Sequence, residues 1–246
     1  MTVYRPGSGS VLRRITVQTP DALAFGSTGN LYVGGLKTVT IYAPGATSPF
    51  QTISQGVKTP TALAFDTFGN LYVANLGRKS GGFNTVTVYA PGSTSILRTI
   101  SDGVNYPYAL AFDSGGNLYV ANSVGNNVTV YAPGSTSVLR TISKGVANPQ
   151  ALALDSKGNL YVANSAAGSG YFAVTVYPPG SKSPKRTITQ GVNSPDALAF
   201  DDAGNLYVAN PGEFESTVTV YAPGKSIVLR TISEGIHLPR ALAFGG

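Results

Sequence analysis

SPDALAFDDAGNLYVAN, residues 194–210, contains the pattern on which the fold depends. It holds two short apolar runs, ALAF and NLYVAN, on either side of a turn that contains Asp and Gly. Two more runs follow further along the chain, VTVYAPG and LRTIS. Runs of this length that are rich in Val, Leu, Tyr and Thr and bounded by Gly, Pro or Asn are typical of β-strands. One unit therefore predicts four antiparallel strands connected in chain order.

The unit recurs along the entire chain. The tyrosine of NLYV returns at spacings of 40 to 47 residues, as Tyr32, Tyr72, Tyr119, Tyr161 and Tyr207. A four-stranded unit repeated every ~44 residues is the blade of a β-propeller, whereas a leucine-rich solenoid needs a period of ~20–29 residues. The VTVY and NLYVA runs are apolar on both faces, which suits sheets that pack on both sides. The sequence therefore predicts an all-β propeller.

The number of strands of each kind predicts how the propeller closes. Six copies of the inner strand begin near Ala22, Ala62, Ala109, Ala151, Ala197 and Ala241, but the GNLYV strand occurs only five times. We predict a single six-bladed domain over 1–246, with full blades at approximately 20–54, 60–101, 107–143, 149–189 and 195–233. The closing blade is then composite, with an inner strand from 238–246 and outer strands from 1–17, and it lacks one strand. A longer parent chain, which we favour, a strand from a second molecule and a tolerated gap all stay open as explanations.

The charge and hydrophobicity of the sequence limit the kinds of partner that the protein could bind. The net charge of +6 is spread over successive copies, because Arg98, Arg140, Arg186 and Arg230 occupy one repeat position and Arg14 a similar one. We interpret this arginine as protection of a sheet edge against aggregation, so nucleic acid is disfavoured as a partner. No apolar run approaches the ~20 residues of a membrane span. We expect a monomer, with strand exchange at the incomplete blade as the alternative.

The first residues, MTVYRPGSGS, lack the charged and apolar regions of a signal peptide. We expect an exported or extracellular protein after processing rather than a cytoplasmic one. The absence of cysteine leaves the redox compartment open.

An Asp-containing turn separates the first and second strands of most copies. The turns are DTFGN (66–70), DSGGN (113–117), DSKGN (155–159) and DDAGN (201–205). Gly can adopt the positive φ that such a turn needs, and Asp accepts hydrogen bonds from nearby backbone amides. A calcium loop requires several oxygen side chains that converge on one point, and these turns supply one or two each. We therefore predict tight turns here and no calcium sites.

The order Pro-x-Ala-Leu-Ala-Phe-Asp, Gly-Asn-Leu-Tyr-Val-Ala-Asn and Thr-Val-Thr-Val-Tyr resembles the NHL-type and gluconolactonase-like six-bladed propellers. The resemblance covers essentially the whole chain. It implies that the Ala-Leu-Ala-Phe strand lines a central channel and that LRTIS forms the outer rim. It is specific for the fold and does not specify an activity.

The copies differ most in the loops that lead into the inner strands. These loops place Asp21, Thr61, Tyr108, Gln150, Asp196 and Arg240 at equivalent positions, and we take these six residues as candidates for ligand binding. Variable loops on a constant scaffold are where binding usually resides. Sequence drift without any ligand is the competing interpretation.

Ring order would place Arg240 between Asp196 and Asp21, with His237 three residues upstream. The three charges either satisfy one another or form a site for an anion or polar ligand, in which His237 is the candidate general base. The resemblance to gluconolactonase-like enzymes implies a divalent metal, such as calcium, held by acidic and Asn side chains. Asp21 and Asp196 are the metal candidates, and the possible Asn partners are Asn75, Asn122, Asn164 and Asn210. These Asn residues are also expected to end strands by bonding local backbone.

Two functions from different classes follow. The first is a non-catalytic recognition scaffold without a cofactor, which binds a protein, a glycan or a small polar ligand on the variable loop face. The alternative is a metal-dependent hydrolase or lyase that acts at the mouth of the channel. No Ser-His-Asp motif, phosphate loop or zinc spacing supports catalysis. RNA binding, as in some NHL propellers, would depend on Arg78 and Lys79.

Overall fold

A computed structural model describes residues 1–4, 11–17, 19–77, 84–212 and 215–243. The chain separates into two compact units, Met1–Pro107 and Tyr108–Gly246. The described residues contain no α-helix, and a 3₁₀ turn spans Ala167–Ser169. None of the described helical structure has the length or apolarity that a membrane span requires.

The first unit contains one strand pair and two four-stranded sheets. The pair is β1 (Thr2–Tyr4) with β2 (Val11–Arg14). The first sheet is β3 (Ala22–Phe25), β4 (Leu31–Gly34), β5 (Val39–Tyr42) and β6 (Gln51–Ile53). The second sheet is β7 (Pro60–Phe65), β8 (Leu71–Asn75), β9 (Thr85–Tyr89) and β10 (Ile96–Ile100). Both sheets are antiparallel meanders.

The second unit contains three four-stranded sheets. Strand β11 (Pro107–Phe112) begins at the last residue of the first unit, and its sheet continues with β12 (Leu118–Asn122), β13 (Asn127–Tyr131) and β14 (Arg140–Ile142). The next sheet is β15 (Pro149–Leu154), β16 (Leu160–Ala166), β17 (Tyr171–Tyr177) and β18 (Arg186–Ile188). The last is β19 (Ala197–Phe200), β20 (Leu206–Pro211), β21 (Ser216–Tyr221) and β22 (Val228–Ile232). Strands adjacent in sequence are adjacent in each sheet.

Five four-stranded antiparallel sheets confirm the all-β, propeller-like fold class. The GNLYV strand forms five times, as β4, β8, β12, β16 and β20. The number of blades in a closed ring and the single domain over 1–246 stay predictions.

The C-terminal inner strand requires a correction. Residues 238–243 do not form a strand, and 244–246 lie outside the described residues. A strand needs a hydrogen-bonded neighbour, and the neighbour expected here is the missing GNLYV copy. Leu242 instead packs against an apolar cluster of the last sheet that includes Tyr207 and Val220.

Apolar residues on both faces of the central strands pack the sheets against each other. In the first unit, Val39, Ile41 and Ile53 of one sheet contact Leu71, Val73 and Tyr89 of the next. In the second unit, Val174, Val176 and Ile188 contact Leu206, Val208 and Tyr221 in the same way. This two-sided burial explains why the NLYVA and VTVY runs lack a polar face.

A buried asparagine lies near the end of the second strand and, in three blades, holds the loop that leads into the same blade. Asn164 is fully buried, its Nδ2 donates to the carbonyl of Val162 and to Thr175 Oγ1, and its Oδ1 accepts the amide of Ala147 at 2.9 Å. Asn75 and Asn210 hold the amides of Lys58 and Asn193 in the same manner. The loop is therefore fixed by side chains of the blade it enters.

The Asp-containing turns form as predicted. Asp66 Oδ1 accepts the amides of Phe68 and Asn70, and its Oδ2 accepts Asn70 Nδ2 at 2.8 Å and the hydroxyl of Tyr72 at 3.3 Å. Burial by itself raises the pKa of Asp113, but hydrogen bonds from Asn117, Tyr119 and Gly115 outweigh that effect and hold this pKa below its usual value. These carboxylates are satisfied by their own turns.

The repeated arginine packs inward, which corrects its interpretation as a guard of the sheet edge. Arg140 Nη2 donates to the hydroxyl of Tyr119 at 2.8 Å, and that hydroxyl donates to Asp113 Oδ2 at 3.1 Å. The guanidinium also lies 5.6 Å from the centre of the tyrosine ring, which is a cation–π geometry. We call this arrangement the Asp–Tyr–Arg chain. It recurs in the blades of Tyr72 and Tyr161.

Strand register also corrects the arginine of the first copy. Arg13 pairs with Val3, as Arg98 pairs with Val88, so Arg13 and not Arg14 is the equivalent residue.

Asn164→Ala removes the side chain that holds the loop before β15. We expect the free energy of unfolding to fall by about 1–3 kcal/mol, because the Ala147 amide and the buried Thr175 hydroxyl each lose a partner. Urea denaturation followed by circular dichroism measures this change. Thr187→Ala, on the exposed edge of the same blade, is the control; an equal effect of the two substitutions would contradict the assignment.

Tyr119→Phe and Arg140→Gln test whether the Asp–Tyr–Arg chain acts as a unit. Because the tyrosine hydroxyl joins both charged groups, the two substitutions share one interaction, and a double-mutant cycle should give a coupling energy of about 1 kcal/mol. Strictly additive effects would mean that the tyrosine and the arginine stabilise the blade independently.

Candidate functional site

The incoming loop of each blade and the loop between its second and third strands lie at the same end of the meander. We call this end the loop face. It carries the six ligand-binding candidates, which occupy one position of the repeat. The amides of Asp21 and Asp196 donate to the carbonyls of Gly34 and Ala209, both at 3.0 Å, so the backbone is held alike at these two positions.

Each incoming loop contains a residue with positive φ directly before its proline. These residues are Thr19, Thr59, Tyr106, Asn148, Ser194 and Leu238, with φ between 41° and 57°. A left-handed conformation is costly for a residue with a side chain and above all for a β-branched one. Hydrogen bonds hold it in place: Leu76 donates its amide to the carbonyl of Thr59, and Ser165 donates to that of Asn148. The loop face is therefore constrained, not loose.

The side chains at the six positions differ in their exposure and in their hydrogen bonds. Thr61 is committed to the scaffold, because its hydroxyl donates to the carbonyl of Pro107 at 2.7 Å. Gln150 folds back, and its Nε2 donates to the carbonyl and to Oδ1 of Asn148. Tyr108, with 41% of its surface accessible, and Asp21 are exposed. Two of these side chains, Thr61 and Gln150, therefore already form hydrogen bonds within the protein, whereas Asp21 and Tyr108 are exposed.

Arg240 and Asp196 form an ion pair. Arg240 Nη1 lies 3.3 Å from Asp196 Oδ2, and their side chains are 74% and 20% exposed. Burial raises the pKa of Asp196, and the charge of Arg240 opposes that rise. This contact brings together two of the three predicted charges. Asp21 lies in the other unit, so its place beside them stays a prediction.

His237 is exposed and has no hydrogen bond to its side chain within the described structure. Its role as a base stays a prediction. Arg78 and Lys79 lie outside the described residues, so RNA binding through them also stays a prediction.

Three of the four asparagines proposed as metal partners are occupied at their side-chain oxygens. The Oδ1 atoms of Asn75, Asn164 and Asn210 accept backbone amides, and their Nδ2 atoms donate to backbone carbonyls and threonine hydroxyls. In the described part of the chain, no three His, Cys, Asp or Glu side chains cluster as metal ligands. These Asn residues therefore do not fit a metal centre, because a bound cation would need the same oxygens.

Sequence reasoning missed the opposite end of the blades, where the turns after the first and third strands meet the next sheet. The signal that was missed is that the copy 20–54 differs from the other copies at two linked positions. Gly26 replaces the turn aspartate and Gln51 replaces the arginine. Alignment of the repeats reveals both changes, but only the structure shows that they affect one hydrogen-bonded chain.

Comparison with known proteins supports the fold. No family model and no curated protein sequence matches the chain. Hydrazine synthase from Kuenenia stuttgartiensis is a similar solved structure, with a TM-score of 0.70 and 18% identity over 93% of this chain and 68% of that one. A match at this identity shows a shared fold. Because 1167 solved chains match, the fold by itself does not specify an activity.

Substitution of Arg240 should change the pKa of its partner Asp196. We expect Arg240→Ala to raise the pKa of Asp196 further, because it removes the charge that opposes the effect of burial. Carbon-13 NMR titration of the side-chain carboxyls measures the shift. Asp201, whose pKa hydrogen bonds from Asn205 hold below its usual value, is the internal control and should not move. An unchanged pKa of Asp196 would contradict the pairing.

The same raised pKa predicts how stability depends on pH. The folded state binds this proton more tightly than the unfolded state, so the contribution of Asp196 is most favourable at acid pH. It declines as the pH rises from the ordinary value of 3.8 through the raised value. Asp196→Asn removes that decline. Relative to the original protein, the variant should therefore gain stability as the pH rises through this window, as measured by urea denaturation at several pH values.

Proposed function

We propose that this chain is a non-catalytic recognition scaffold of the propeller type, and that its loop face binds a polar ligand. The observation that supports the proposal is that repeated and variable polar residues differ in their hydrogen bonding and exposure. Polar residues that repeat form internal hydrogen bonds, as for Asn164 and the Asp–Tyr–Arg chain. Among those that vary, Asp21, Tyr108 and Arg240 are exposed on the loop face. A surface built in this way can change its specificity without disturbing the fold.

The chemistry of the loop face supports a polar partner. In the second unit it presents Tyr108, Gln150, Asp196 and Arg240, which supply an aromatic hydroxyl, an amide and a pair of opposite charges. Exposed Tyr and Arg are the side chains that most often anchor interfaces. A protein, a glycan or a small polar molecule would each suit these groups. We propose in addition that the chain is a propeller of the NHL or gluconolactonase-like type, on the resemblance of its motifs.

The metal-dependent hydrolase or lyase stays as the alternative. It has less support, because the asparagines that would complete the metal ligand set already bind backbone. Elemental analysis of the purified protein separates the two proposals. Stoichiometric calcium or zinc that is lost in Asp196→Ala would favour the enzyme.

Binding experiments test the scaffold proposal directly. The full chain is screened against immobilised neutral and acidic oligosaccharides and a peptide library, and each probe that binds is then tested with Tyr108→Ala and Arg240→Ala. We expect at least one probe to lose about tenfold in affinity, the size of effect typical of a central contact residue. Leu139→Ala, an exposed substitution just before β14 and away from the loop face, is the control. Retention of every bound probe by both loop-face variants would overturn the proposal.

A further inference from the structure

Two grooves occupy equivalent places in the repeat, one in each unit. Each lies at the end of the strands opposite the loop face, between the first turn of one blade and the same turn of the next. The groove in the second unit, of about 580 Å³, is lined by Asp155, Tyr161, Lys185, Arg186 and Ala203, and we call it the charged groove. The groove in the first unit, of about 440 Å³, is lined by Gly26, Tyr32, Phe50, Gln51 and Phe68, and we call it the aromatic groove. Both have volumes in the range typical of ligand sites.

The lining of the two grooves differs at matched positions. Register pairs Ile41 with Gln51 and Val176 with Arg186, so Gln51 stands where the arginine of the Asp–Tyr–Arg chain stands elsewhere. By the same alignment of repeats, Gly26 replaces Asp155, Phe50 replaces Lys185 and Phe68 replaces Ala203. The aromatic groove has thus lost five charged side chains, since Thr28 and Thr67 also replace Lys157 and Asp202, and it has gained two phenylalanines.

Loss of the Asp–Tyr–Arg chain leaves polar groups in the aromatic groove without their usual partners. In other blades the turn asparagine donates to the aspartate and the tyrosine hydroxyl contacts both the aspartate and the arginine. Within the described structure, the side chains of Asn30 and Tyr32 make none of these hydrogen bonds. Gln51 uses only its Nε2, which donates to the carbonyl of Gly92 at 2.9 Å. An amide, a hydroxyl and the Gln51 Oε1 are therefore available in one groove.

Two aromatic side chains beside these groups are largely exposed. Phe50 and Phe68 have 60% and 78% of their surface accessible, and both line the aromatic groove. Deeper in the groove, the rings of Tyr32 and Phe65 pack edge to face with centroids 4.8 Å apart. Paired exposed phenylalanines are costly in water and mark a surface that meets a partner.

The groove also has no free charge to attract an ion. The carboxylate of Asp66 is its one charged group among the lining residues, and both of its oxygens accept hydrogen bonds from its own turn and from Tyr72. A ligand for this groove should therefore be neutral, offer an apolar face to the phenyl rings and carry hydroxyls for the amides and the tyrosine. A neutral sugar ring has these three properties, because its C–H groups form an apolar face and its hydroxyls lie around the edge.

We infer that the aromatic groove binds a neutral saccharide, with Phe50 and Phe68 against the sugar rings and Asn30, Tyr32 and Gln51 as hydrogen-bonding groups. This site is separate from the loop face, since it lies at the other end of the strands. The inference therefore does not depend on the proposed function.

Calorimetric titration of the full chain with neutral oligosaccharides tests the inference. The probes are cellohexaose, xylohexaose, mannohexaose and laminarihexaose, with hexagalacturonate as the charged comparison. We expect at least one neutral probe to bind with a dissociation constant below about 1 mM and hexagalacturonate to bind less tightly. Phe68→Ala should weaken binding about tenfold or more, and this exposed turn residue can be changed without disturbing the core.

A second variant tests the freed polar groups. Gly26→Asp with Gln51→Arg rebuilds the Asp–Tyr–Arg chain of the other blades and should abolish binding while the fold is kept. A Cβ at Gly26 would come within 3.2 Å of the Tyr32 ring, so circular dichroism must show that the variant is folded. Lys157→Ala in the charged groove is the matched control and should bind as the original protein does.

Three results would overturn the inference. The first is that no neutral oligosaccharide binds, and the second is that both groove variants still bind the sugar. The third is that Tyr108→Ala abolishes sugar binding whereas Phe68→Ala does not. A neutral apolar peptide that binds the groove in place of the sugars would overturn it as well.

Discussion

Buried hydrogen bonds of the asparagine near the end of the second strand hold three of the blades to the loops that enter them. Asn164 is fully buried, yet it bonds two backbone carbonyls, a threonine hydroxyl and the amide of Ala147. Buried amides are tolerated only when their donors and acceptors are paired. A four-stranded sheet with two apolar faces contains few other places for such groups. In these blades the asparagine therefore helps to determine where the incoming loop runs and, with it, where that loop presents its side chains.

A second polar device stabilises the opposite end of the blades. The Asp–Tyr–Arg chain places a carboxylate, a hydroxyl and a guanidinium in sequence, and each of its charges has a partner. Together the asparagine contacts and the Asp–Tyr–Arg chain bond the repeated Asn, Asp, Tyr and Arg side chains within the blades, and the binding we propose therefore uses the positions at which the copies differ.

The repeats provide controls within one chain. Because the aromatic and charged grooves share their backbone framework, their differences can be attributed to side chains alone. The copy 20–54 has lost the aspartate and the arginine together, and both losses act on the hydroxyl of Tyr32. An isolated Gln51 or Gly26 would be an ordinary substitution. The two in one blade, beside two exposed phenylalanines, indicate a surface with a different role from its equivalents.

The sequence by itself determined the strands, the turns and the blade, because these depend on patterns that span only a few residues. Short apolar runs separated by Gly-Asn turns predict β7 to β10 and their equivalents, and the turn aspartates accept hydrogen bonds from residues two to six positions further along the chain. It also predicted the position of the variable residues and the closeness of Asp196 to Arg240. These features follow from the repeat, since equivalent positions lie at the same end of every meander.

Only the tertiary structure decided which polar residues are free. Asn164 bonds Ala147 across 17 residues, so no local pattern shows that this asparagine holds a loop instead of a metal. Arg186 bonds Tyr161 across 25 residues, so no local pattern shows that this arginine contacts a tyrosine instead of protecting a sheet edge. Register identified Arg13 as the first member of the arginine series. The last ALAF copy has strand-forming residues but no neighbouring strand, and 241–243 remain without regular structure. The reason is the same in each case: a hydrogen bond requires its partner to be brought near, and for distant residues only folding does so.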